Sequence, residues 1–175
     1  LKVEINKDDS KIDLSSEYDM QRVKIGNTGE MYYINDLKSG KEYYFKPAVT
    51  KSGEKRDYRA YIQEAAYSVQ KVINPEVAIK CNVININGRF GAIQEKINVD
   101  IDAIKKFINY FENGIGELSS DMIQQILNEY LVDYALCNYD AHASNFIIDS
   151  NGKLRGVDKE QSFRYIYKES ENDMM

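Results

Sequence analysis

The period of hydrophobic repetition changes along this chain, and that change limits its possible folds more than any single residue does. Three short runs alternate with period two, Gln21 to Ile25, Glu30 to Ile34 and Glu42 to Lys46. They are separated by the turn formers Gly26-Asn27-Thr28-Gly29 and Asp36-Leu37-Lys38-Ser39-Gly40. Alternation sends successive side chains to opposite faces, so the runs predict three strands in an antiparallel meander that Pro47 ends. From there the step lengthens. Tyr58, Tyr61, Ile62, Ala65, Ala66, Val69 and Val72 recur at helical spacing, and Asn74-Pro75 stops the helix they predict. Period two returns over Val77 to Ile84 and Arg89 to Ile97, around the turn Asn85-Ile86-Asn87-Gly88.

The second half reads differently. Helical spacing runs from Asp100 to Phe111 and from Ser119 to Leu136, the latter opening on Ser119 or Ser120 as N-cap with Asp121 in the first turn. A strand pair follows, Phe146 to Ile148 and Leu154 to Val157, about Asp149-Ser150-Asn151-Gly152. The expectation is an α+β chain: a β-rich half over 1–98 in the order βββαββ, then a mainly helical half over 99–175. Residues 1–18 predict a short strand or a loose arm.

Composition removes several classes of function. With 43% hydrophobic residues the chain can bury a core, and a formal net charge of −5 points away from nucleic acid and anionic membranes as partners. Fourteen tyrosines without tryptophan are not interleaved with basic residues as a base-stacking platform requires. No apolar stretch approaches the roughly 20 residues of a membrane helix, and no cationic-then-apolar leader opens the sequence. Cys81 and Cys137 have no metal-ligand spacing. That predicts a reducing cytoplasm, the cell's own or a host's or neighbour's into which the protein is delivered.

The chemistry is concentrated in Asn138-Tyr139-Asp140-Ala141-His142-Ala143-Ser144-Asn145, between a long apolar helix and a strand, with Asp158 after the next strand. Phosphoryl transfer asks a protein for positioning and charge compensation. A carboxylate must face the attacking hydroxyl, hard oxygen ligands must hold magnesium, and a cation must clamp the phosphates. Asp140 suits the first role; Asn145 and Asp158, joined by a hairpin, suit the second. Lys46 suits the third, with Glu64 on the following helix as its orienting partner. Backbone N–H groups of Gly26, Asn27, Thr28 and Gly29 are candidates to cover the phosphates. His142, the only histidine, is expected to support the loop and not to serve as general base.

Asp140-x-His142-x-x-Asn145 followed by Gly156-Val157-Asp158 resembles the D-x-H-x-x-N and (I/V)-D pair of the phosphatidylinositol 3-/4-kinase-like group. That group takes in the actin–fragmin kinases and, more loosely, the HipA-type kinases. The likeness extends over Tyr44-Phe45-Lys46-Pro47, the helix bearing Glu64, and Gln94-Glu95-Lys96-Ile97. It implies a two-lobe protein-kinase-like fold with a β-rich N-lobe and a reduced helical C-lobe. It also implies ATP and Mg²⁺ as cofactors, adenine bordered by Gln94, Glu95 and Ile97, Asp140 as the catalytic aspartate, and Asn145 and Asp158 as metal ligands. Two positions depart from the group. Ala141 stands where many relatives have arginine, and Lys159-Glu160-Gln161 follows Asp158 in place of a D-F-G continuation. The expected acceptor is a protein Ser or Thr hydroxyl. The alternatives are a pseudokinase serving as a nucleotide-binding or interaction module, a small-molecule or lipid kinase, and transfer of AMP instead of phosphate.

Overall fold

The structure, a computed structural model, describes residues 11–23, 29–50, 52–138 and 140–163. Over these residues it is a mixed α+β chain with an antiparallel sheet and three helices. The strands Tyr18–Val23 (β1), Met31–Asp36 (β2), Glu42–Pro47 (β3), Cys81–Ile86 (β4) and Arg89–Glu95 (β5) form one sheet in the order β1-β2-β3-β5-β4. The helix Tyr58–Ile73 (α1) falls between β3 and β4 in the chain, giving the expected βββαββ order. Several boundaries differ: β1 starts at Tyr18 and not Gln21, with Lys24 and Ile25 outside the described residues, β5 ends at Glu95, and the largest shift follows α1. Val77 and Ile79 alternate as strand residues do and are buried, but they belong to the connection after α1, and β4 starts only at Cys81. Burial without a strand partner produces the same alternation that pairing does.

Register explains the two faces of the sheet. Ile34 lies opposite Tyr43, and Phe45 opposite Ile93, so these side chains share one face and form a core with Ile86. Ile12, Leu14, Tyr18 and Met20 pack against it. Full burial of such side chains stabilises the fold by about 1.5–3 kcal/mol each. On the other face the row Lys46, Ala92, Val83 crosses three strands. Ala92 and Val83 there join a cluster with Ala60 of α1, Ala48 and Cys81, whose small side chains let the helix approach closely. Asp36 ends β2 buried, accepting from the backbone N–H groups of Ser15, Lys38 and Ser39. Those bonds hold its carboxyl well below the usual carboxylate range.

The rest of the chain comprises the helices Ile101–Asn113 (α2) and Ser120–Ala135 (α3) and the hairpin Phe146–Ile148 (β6) with Leu154–Gly156 (β7). Asp100 caps α2 by accepting from Ala103 N, and Gly114 ends it at φ 65°. Ser119, not Ser120, caps α3, accepting from Met122 N at 3.1 Å. Phe107 of α2, Ile126 of α3, and Phe146, Ile148 and Leu154 of the hairpin make a second core. Among the described residues no helix is long and apolar enough to cross a membrane.

The chain divides into two compact units, Leu1–Tyr67 with Lys80–Lys96, and Ser68–Ile79 with Ile97–Met175. The sequence predicts a single division near residue 98, whereas the C-terminal part of α1 goes with the later helices. Its physical reason is polar: Gln70 and Asn74, at the end of α1 and just beyond it, both donate to the buried carboxylate of Glu129 on α3.

Candidate functional site

Helix α3 delivers the polar loop. Leu136 ends the helix, Cys137 turns the backbone at φ 49°, and Asn138 then bonds back to Asp133 through both its backbone N–H and its side-chain amide. Tyr139 lies outside the described residues. His142 Nε2 stands 3.8 Å from Asp140 Oδ1, with both side chains about half exposed. A short 3₁₀ turn, Ala143–Asn145, leads into β6.

Asn145 is tied in three directions. Its backbone N–H donates to His142 O, its Nδ2 donates to Asp140 O at 2.6 Å, and its carbonyl accepts from Val157 N at 2.8 Å. With Nδ2 committed to a carbonyl, Oδ1 is the atom left to accept or to ligate. The pairing of Phe146 with Gly156 continues through the Asn145–Val157 bond, so Asn145 and Asp158 stand at the same end of the β6–β7 hairpin. Asp158 itself adopts the left-handed conformation, φ 56° and ψ 53°, which costs a non-glycine residue about 1–2 kcal/mol.

A buried ionic cluster lies next to it in the chain. Lys159 lies 2.5 Å from Asp133 Oδ1 and 3.6 Å from Glu129 Oε2, and all three side chains are buried. Glu129 also accepts from Gly156 N at 3.1 Å. Burial pushes the Glu129 carboxyl up, with Lys159 and the amides of Gln70 and Asn74 opposing that shift. A Cβ at Gly156 would meet Glu129 Oε2 and Lys159 Nζ, so any larger residue there would displace these side-chain ends. Sequence reasoning does not single out Glu129, Asp133 or Lys159. A signal is nonetheless present, since Glu129 and Asp133 fall on the helical face of Ile126, Val132 and Leu136.

The other predicted residues belong to the first unit, apart from Ile97, which opens the last segment of the second. Lys46 stands on β3 between the buried Phe45 and Pro47, on the sheet face where α1 packs. Glu64 Oε1 accepts from Val83 N and Asn82 Nδ2, both at 3.2 Å, along the outer edge of β4. Gln94 and Glu95 end β5 opposite Tyr44 and Tyr43. Gly26, Asn27 and Thr28 lie outside the described residues. Gly29 is buried at φ 145°, where a Cβ would meet Val49 O at 2.9 Å.

Among the described residues no group of three or more His, Cys, Asp and Glu side chains could hold a metal ion. The amide oxygen of Asn145 and the carboxylate of Asp158, at the same end of the hairpin, would be an all-oxygen donor set for one. Such a pair fits magnesium, which keeps several waters and shares its coordination with substrate phosphates. No protein-family model and no curated protein matches the chain.

Proposed function

We propose that the chain is an ATP-dependent phosphotransferase of the atypical-kinase type, with a kinase-like two-lobe fold and a protein Ser or Thr hydroxyl as acceptor. Asp140 faces the acceptor hydroxyl, Asn145 and Asp158 hold Mg²⁺, and Lys46 binds phosphate. The acceptor oxygen attacks the γ-phosphorus, the bond from that phosphorus to the β,γ-bridging oxygen breaks, and the electron pair leaves with ADP. The hydroxyl proton passes to Asp140. Bound magnesium supplies compensation for the phosphate charge.

One observation carries the reading: Asn145 is bonded at once to the Asp140 carbonyl and, through its own carbonyl, to the residue before Asp158. Through these two backbone bonds one asparagine ties together the chain segments that carry Asp140 and Asp158, as a shared site would require. Calorimetric titration with ATP, with and without Mg²⁺, tests it on the wild-type protein and on Asp158→Asn. Magnesium-dependent binding that the substitution weakens is the expected result, followed by γ-phosphate transfer to protein that Asp140→Asn abolishes. A folded wild type that binds no Mg–ATP would falsify the proposal.

A further inference from the structure

Helix α3 is built inside out. Its inward face carries two acids, Glu129 and Asp133, among Ile126 and Val132, while its outward face carries Ile123, Leu127, Tyr130, Leu131 and Tyr134. Those five are 46%, 56%, 39%, 58% and 84% exposed, the reverse of an ordinary surface helix. Lys159, Gln70 and Asn74 account for the acids. The apolar row remains to be explained, and scattered exposed hydrophobics do not share one stripe.

Three properties of the stripe identify its occupant. Ile123, Leu127, Tyr130 and Tyr134 follow steps of four, three and four, the spacing of a helix–helix seam. The exposed positions from Ile123 to Ala135 include no charged residue, so a copy of the face meets no repulsion from itself. The four-three-four order also reads the same in both directions. An antiparallel copy related by a two-fold axis therefore sets Ile123 against Tyr134 and Leu127 against Tyr130. That is the self-complementarity an isologous interface needs. The exposed parts of these side chains offer about 600 Å² per protomer, against roughly 800 Å² per partner in a standard interface before any polar rim is added.

We propose that α3 forms the contact of a two-fold homodimer through this stripe. Sedimentation velocity on the whole chain, over about 1–100 μM, tests it. The expected result is a monomer–dimer equilibrium that Leu127→Glu weakens by about 100-fold or more through burial of a charge in the seam. Because Leu127 is exposed, the substitution should leave the far-ultraviolet spectrum unchanged; if that variant misfolds, Tyr134→Glu makes the same test. Ile123→Lys and Tyr134→Glu, each defective alone, should dimerise when mixed, since the antiparallel register brings the new charges together. A monomer throughout the range, a dimer indifferent to both Glu substitutions, assembly beyond two copies, or a mixture that stays monomeric overturns the proposal.

Discussion

Replacing Lys159 with methionine removes the cation that touches both Asp133 and Glu129, and it keeps most of the side-chain volume. Two carboxylates, both nearly inaccessible to water, then face each other without that compensation. Breaking a buried pair by deleting one partner typically costs about 3–5 kcal/mol. That is a large share of the roughly 5–15 kcal/mol that holds a domain together. The loss should depend on pH in a defined direction. Burial already raises the folded-state affinity of Glu129 for a proton, and removing Lys159 raises it further. A group whose folded pKa is raised destabilises the fold when it must ionise, so the penalty is greatest above that pKa. It shrinks as pH falls from neutrality toward the ordinary glutamate value of about 4.3. Urea denaturation followed by tyrosine fluorescence and far-ultraviolet dichroism, at several pH values, measures both parts. Lys159→Met combined with Asp133→Asn and Glu129→Gln should recover much of the lost stability, because neutral partners need no cation. A penalty under about 1 kcal/mol for the single variant, or one that does not change with pH, refutes the assignment of a buried ionic cluster.

Two further outcomes follow from packing. Gly91→Ala would drive a methyl group into Lys46 O, and to 2.8 Å from the Phe45 ring and Pro47 Cα, so it should cost about 1–3 kcal/mol in denaturant titration. Native protein treated with a thiol reagent at neutral pH should label Cys137, which is exposed, but not Cys81, whose thiol burial pushes up to about 12; unfolding should release the second equivalent.

The strands of the sheet are legible in the sequence because their alternation has a direct cause: one face packs on Ile12, Leu14 and Met20, and the other on α1. The turns after β2, β4 and β6 are legible from their glycines and asparagines, and the start of α3 from its two serines, of which Ser119 is the cap. Val77 and Ile79 mislead because burial alone imitates the pattern of pairing. At the candidate site, the hairpin between Asn145 and Asp158 can be inferred from strand length and turn chemistry. Asp133, Glu129 and Lys159 cannot be recognised by residue type, because charged side chains usually mark solvent and their partners come from separate segments. The bond from Glu64 to the edge of β4 is equally invisible, since it depends on which strand becomes the outer one.

The exchange of segments between the two units bears on how the protein can be cut and made. Each unit needs a piece of chain that lies within the sequence span of the other: 80–96 for the first, 68–79 for the second. No single break can therefore separate the two with both left whole. Truncation at residue 67 strips β4 and β5 from the sheet, and a fragment starting at 97 lacks the amides of Gln70 and Asn74 that bind Glu129. During synthesis the sheet cannot close until Glu95 has emerged, by which time the portion of α1 that the second unit needs is already outside and waiting. A protease nick between residues 68 and 96 would thus disable both units together, and mapping such nicks would read out the interleaving directly.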